Sequence, residues 1–267
     1  MKITTLRSTA GSSVQIAHHG AHVLSWIPAN QTEQLFLSTT SSFAPDKAIR
    51  GGVPVIFPQF SDHGPLPKHG FARNQEWHRR PSDLTDTAVF VLHDSDASRA
   101  VWPFQFIAEL TITVSDSALL MTLAIHNIGA TMFTFTAALH TYFRVAAIAD
   151  ARILGLKNCP YEDSVTGQRD CVEVSESIAI HGLVDRIYGG APVQLEIQQS
   201  QQRLIVQRDN FPDVVVWNPW QELSASMPDM EPDGYQHMLC VESAAIAAPV
   251  FLQPGKVWQA TQQFHVT

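Results

Sequence analysis

Cysteine and charge are both in short supply. Among 267 residues only Cys159, Cys171 and Cys240 carry a thiol. That odd number, with no C-x-x-C spacing, argues against a disulfide framework and a zinc knuckle. Only 16% of the residues are charged, and 17 Lys+Arg against 25 Asp+Glu leave a net charge of −8. No Lys/Arg run offsets that balance, so a nucleic acid backbone and an anionic membrane are poor partners. A small anionic ligand stays compatible, because charges beyond the ~8–10 Å Debye length are largely screened and two local arginines outweigh a distant acidic surface. No stretch reaches the ~18 apolar residues of a membrane span, and the opening MKITTLRSTA lacks the apolar run of a signal peptide. A soluble, cytoplasmic protein is the expectation. The P-loop, G-x-G-x-x-G and G-x-S-x-G signatures are missing too. Twelve histidines invite a metal, but His18-His19-x-x-His22 and His63/His69 match neither H-E-x-x-H nor a Cys/His set, so none is expected.

What is present is a period of two. Phe104, Phe106, Ala108, Leu110, Ile112 and Val114 alternate with polar residues, Ile107 being the exception, and Leu119, Met121, Leu123 and Ile125 repeat the pattern after the turn Ser115–Ala118. Successive strand side chains point to opposite sheet faces, so this predicts a half-buried hairpin. Further strands are expected at Val14–Ile16, His22–Trp26, Ala88–His93, Val193–Gln198, Arg203–Gln207, Val214–Trp217 and Gln259–Val266. Helical periodicity is scarce; the best candidate has Asn218 as N-cap, Pro219 in the first position and Trp220–Ala225 behind it. With 45% apolar residues and no linker or internal repeat, the expectation is an all-β sandwich with few short helices, a single domain over residues 1–267.

Three segments carry chemistry. Residues 49–78 hold Arg50, Arg73, His63, His69 and His78 among four prolines and four glycines. The prolines exclude a regular helix or a central strand, so an ordered loop is expected. Gly51 and Gly52 suit close approach of backbone to a ligand. If His69–Arg73 runs extended, His69, Phe71 and Arg73 share a face and Lys68 takes the other. The competing reading makes Arg50 and Arg73 surface salt-bridge partners. In Phe133–Val145, His140 lies amid apolar residues, where it is either a satisfied core histidine or a proton-transfer group. In Met238–Ile246, Glu242 ends an apolar run; an ionised carboxylate there needs a partner, either a deliberate role or an arginine. His18, His19 and His22 read as surface or turn residues, most of the six tryptophans as core, and the cysteines as structural thiols.

In this order the segments resemble the aldose 1-epimerase superfamily, and within it the hexose-6-phosphate mutarotase branch. The matching pieces are Ile49–Pro54 with Phe57–Phe60, His69–Asn74 with Trp77, Leu139–Phe143, Asp185–Tyr188, Val216–Trp220 and Cys240–Glu242. The resemblance implies a galactose-mutarotase-like β-supersandwich, no cofactor, and interconversion of α and β anomers of glucose 6-phosphate and related hexose 6-phosphates; a monomer is the expectation. It implies Glu242 as general base and His140 as general acid. Arg50, Arg73 and Asp185 would bind substrate, the arginines near the phosphate, with His69 beside them. Lys68 departs from the small polar residue or Gln common there and either adds a phosphate contact or faces solvent. Two alternatives stand beside this: a mutarotase of unphosphorylated aldoses, and a non-catalytic sugar-phosphate-binding regulator.

Overall fold

The computed structural model describes residues 1–45, 47–200 and 202–267. Strands follow one another along most of the chain: β1 (Ile3–Arg7), β2 (Ser13–Ala17), β3 (His22–Ile27), β4 (Val55–Ile56), β5 (His78–Arg79), β6 (Thr87–His93), β7 (Phe106–Val114), β8 (Ala118–Asn127), β9 (Phe133–Leu139) and β10 (Tyr142–Arg144). They continue as β11 (Arg152–Leu154), β12 (Pro160–Asp163), β13 (Gln168–Val172), β14 (Ser177–Ala179), β15 (Val184–Tyr188), β16 (Gln194–Gln199), β17 (Gln202–Asp209), β18 (Asp213–Asn218), β19 (Met238–Leu252) and β20 (Val257–Val266). A three-stranded sheet has the order β1-β2-β3. An eight-stranded sheet runs β13-β12-β15-β18-β19-β9-β4 with β10 also on β19, and a nine-stranded sheet runs β14-β11-β16-β17-β20-β8-β7-β6-β5. The fold is all-β.

The expected hairpin is β7–β8, in register from Phe106↔Asn127 to Val114↔Leu119, and burial alternates along all of β7. Ile107 breaks the sequence pattern but sits half-buried on the outer face. The same alternation decides what each face of the eight-stranded sheet meets. Leu139, Leu239, Val241, Val214 and Val216 turn into the main core with Leu110, Leu123 and Phe264 of the larger sheet. Ala138, Val215, Ile187 and Ala244 turn the other way and cluster with Ile56 and Phe60. That second face carries the polar residues of interest. Where β19 loses register between Ala245 and Val250, buried Asp213 accepts hydrogen bonds from the amides of Ile246 (2.7 Å) and Ala247 (2.8 Å), which keeps the irregularity satisfied.

Residues 49–78 are the ordered loop that their prolines require. Besides β4 they contain a 3-10 turn at Ala72–Asn74. Single bridges Val23↔Val53, Leu37↔Gly51 and Phe57↔Gly70 tie the rest down. The segment His69–Arg73 is not extended: His69 has φ 68° and Gly70 has φ 66°. A Cβ on Gly70 would lie 2.4 Å from the Phe57 carbonyl oxygen, so the chain folds back tightly there. Two α-helices are present among the described residues, α1 (Asp96–Val101) and α2 (Trp220–Ser226). Pro219, not Asn218, is the N-cap and so lies outside the helix; the Asn218 side chain, one residue earlier, accepts from the Trp220 amide at 2.9 Å, and the chain turns through φ 56° at Trp220. α1, not expected, buries none of its residues and so leaves no apolar period; its signal is the capping pair Ser95 and Ser98.

Candidate active site

β9 and β10 lie on the same edge of β19. The pairs Leu139↔Ser243 and Tyr142↔Cys240 frame His140, which therefore stands directly opposite Glu242. Val215 follows on β18 and Ile187 on β15. Two residues along each strand, on the same face, the neighbouring row reads Tyr142, Cys240, Trp217, Asp185. Apart from Cys240, which is fully buried, these rows floor a cleft of about 680 Å³, and the 49–78 loop forms a wall with Arg50, Lys68, His69 and Arg73. All seven residues expected at the site thus line one cleft. Lys68 and His69 both reach it because the backbone turn, rather than strand alternation, aims them.

On the floor, His140 Nδ1 and Glu242 Oε1 lie 3.3 Å apart. His140 Nδ1 and Glu242 Oε2 have no hydrogen-bond partner among the described residues. No arginine satisfies Glu242, so the salt-bridge alternative fails. Burial holds the Glu242 carboxyl well above the usual range, and the nearby Asp185 charge adds to this. Burial pushes the His140 imidazole well below 6.5, reinforced by His69, Arg50 and Arg73. Asp185 is raised as well, again by burial. The Tyr142 ring stacks on His140 at 4.8 Å and 7°, and its hydroxyl accepts a bond from Arg50 Nη1 at 2.9 Å.

The two arginines differ. Arg50 is bidentate to Asp229, with Nε and Nη2 each 3.2 Å from a carboxylate oxygen, so its charge is already compensated. Gly51 and Gly52 beside it approach protein backbone rather than open cleft: a Cβ on Gly52 would lie 2.2 Å from the Val23 carbonyl oxygen. Arg73 donates to the Lys68 carbonyl at 2.9 Å and has no carboxylate partner among the described residues; its Nε is buried and unbonded. Burial lowers its pKa, consistent with a desolvated cation lacking a counter-charge. His69 accepts the Ser61 amide at Nδ1 (3.2 Å), which puts its proton on Nε2.

Sequence reasoning missed Tyr142, Trp217 and Asp229. Tyr142 and Trp217 lie two residues from His140 and Val215, so strand period is the signal that finds them. Asp229 sits in the polar DMEPDG loop, 179 positions from its arginine, with no local signal. Of the six tryptophans, Trp217 alone lines the cleft. His18, His19 and His22 are buried, not surface residues. Their Nε2 atoms bond Thr4 Oγ1 (2.9 Å), the Lys47 carbonyl (2.9 Å) and the Gly51 carbonyl (2.7 Å) respectively, which removes the cost of burying them. His22 thereby holds the turn that follows Arg50.

Burial pushes His22 and His69 down to about 3, Arg73 and Lys68 adding to the effect at His69. A depressed histidine contributes stability that is present above ~6.5 and lost as pH falls toward its folded pKa, since the unfolded chain takes the proton first. Urea midpoints are therefore expected to drop steadily from pH 7 to pH 4, and His22→Gln to flatten that slope. A wild-type midpoint constant over this range contradicts the assignment.

The aldose 1-epimerase family model matches residues 2–265. A relative from Cenchrus ciliaris, provisionally named a glucose-6-phosphate 1-epimerase, is 35% identical over 267 residues, covering 95% of this chain and 81% of its own length. One from Escherichia coli K12, under the same provisional name, is 36% identical over 237 residues, 85% of this chain and 78% of its own. A provisionally named mutarotase from Salmonella typhimurium, known from its crystal structure, superposes with a TM-score of 0.90 at 30% identity over 99% of this chain and 90% of that one. A galactose mutarotase related enzyme from Lactobacillus acidophilus shares the fold, with a TM-score of 0.82 at 16% identity over 100% and 97% of the two chains. The chain belongs to the aldose 1-epimerase family and is an isomerase with the galactose-mutarotase-like β-supersandwich fold. No helix among the described residues is long and apolar enough to cross a membrane.

Proposed function

We propose that the protein is a hexose-6-phosphate mutarotase, interconverting the α and β anomers of glucose 6-phosphate and related hexose 6-phosphates. The observation that carries this reading is a buried carboxylate–imidazole pair, 3.3 Å apart, on the floor of a cleft whose wall holds an uncompensated guanidinium. The names of the curated relatives point the same way.

His140 and Glu242 share one dissociable proton, so the ion pair and the neutral pair have the same net charge. In the reactive form Glu242 is a carboxylate and His140 an imidazolium. Glu242 takes the proton of the C1 hydroxyl while His140 delivers one to the ring oxygen; the C1–O5 bond breaks and C1=O1 forms. The open-chain aldehyde then faces a carboxylic acid and a neutral imidazole, the form that burial favours. Rotation about C1–C2 and reversal of both transfers close the ring on the other face. Asp185 and the Nε2–H of His69 fix sugar hydroxyls.

Arg73, with Lys68 beside it on the wall, takes the phosphate. Arg50 has two of its five N–H donors left after Asp229 and Tyr142, so it assists as a neutralised hydrogen-bond donor. Anomer exchange followed by NMR on glucose 6-phosphate, with glucose and galactose in parallel, tests the proposal. Acceleration above the spontaneous rate for the phosphorylated sugar is the expected result. Equal acceleration of the free sugars assigns a general aldose mutarotase, and binding without acceleration assigns a regulator.

A further inference from the structure

We propose that His140 and Glu242 of the cleft floor, with the fully buried Cys240 beside them, form a zinc(II)-binding site. Cys240 precedes Glu242 by two residues on β19 and so shares its sheet face. One donor atom from each of the three side chains lies within 4.8 Å of the other two, and all three residues are buried. The 3.3 Å between His140 Nδ1 and Glu242 Oε1 is about the separation of two ligands on a tetrahedral zinc with ~2.0–2.2 Å bonds. Sulfur, with its ~2.3 Å bond, has to close by about an ångström.

Two further observations point to a ligand. His140 Nδ1 and Glu242 Oε2 are unpartnered among the described residues, on side chains only 10% and 1% exposed. A thiolate, an imidazole and a carboxylate together suit zinc better than magnesium or calcium. Three protein ligands also leave a fourth position for water or a sugar hydroxyl. Binding forms Zn–S, Zn–N and Zn–O bonds, releases the Cys240 thiol proton and the proton shared by His140 and Glu242 to solvent, and involves no electron transfer. Glu242 and Asp185 favour the dication, and Arg73 opposes it.

The ligands include the pair to which the proposed mechanism gives the chemistry, so inhibition by bound metal rests on that reading, whereas binding does not. The test titrates cobalt(II), as a zinc surrogate, into tag-free protein and follows the near-ultraviolet thiolate-to-cobalt absorption. Zinc competition and anomer exchange are measured alongside. The band is expected in the wild type and absent from Cys240→Ala and Cys240→Ser, both with unchanged basal exchange. Zinc inhibition is expected to weaken at least about tenfold in both variants, the loss that even outer partners of a metal site produce. Cys159 and Cys171 remain in both and control for adventitious thiol binding. A band that survives in the Cys240 variants, or no band at all, overturns the site. A band that depends on Cys240 while exchange ignores the bound metal supports the site and removes His140 and Glu242 from catalysis.

Discussion

Glu242→Gln is expected to lower the rate of anomer exchange by ~10²–10⁴-fold, the usual contribution of a well-placed proton-transfer group. The amide keeps the shape of the carboxyl but has no basic oxygen for the C1 hydroxyl proton. It does not burden the fold, because burial already favours the uncharged form of Glu242. The urea midpoint at pH 7 should therefore hold or rise. His140→Asn is expected to cause a comparable loss, and the double variant little more than either alone, since the two residues act as a unit. A folded Glu242→Gln protein with undiminished exchange would remove the carboxylate from the mechanism.

Arg73→Ala is expected to separate the phosphorylated substrate from the free sugar. Hydrogen bonds to charged groups contribute about 1.5–3 kcal/mol, so kcat/KM for glucose 6-phosphate should fall roughly 10- to 150-fold. Exchange of free glucose, which presents nothing to Arg73, should change by less than about threefold on the same scale. The absence of a carboxylate partner is what makes the prediction clean: no charge is stranded when the guanidinium goes, and only the exposed Lys68 carbonyl loses a hydrogen bond. Arg50→Ala is a poor substitute, since it also strands Asp229 and the Tyr142 hydroxyl. Equal losses for both sugars would take Arg73 away from the phosphate.

The strands that alternate over a long run were legible because alternation is local: β7, β8, β17 and β20 lie where the period of two puts them, whereas β1 and the short strands β11 to β14 were not expected. The site was legible through residue types in an order that resembles a family. What no local pattern carries is the pairing across the sheet that sets His140 against Glu242, 102 positions later, and Arg50 against Asp229. The histidines near Gly20 were misread for a related reason. Their polarity suggests solvent, but each finds a partner supplied by a distant segment. The turn at His69–Gly70 was hidden likewise, because tight contact with Phe57 decides it rather than any propensity of the segment.

β19 and β20 follow every other strand in chain order, yet each is interior to its sheet: β19 separates β18 from β9, and β20 separates β17 from β8. On the ribosome, both large sheets therefore wait as split halves with four bare edges until these two strands emerge. Exposed edges of this kind template pairing with other chains, so the nascent protein stays vulnerable until both strands are in place. The proton-transfer pair comes together at the same moment, because Glu242 arrives on the strand that closes the gap.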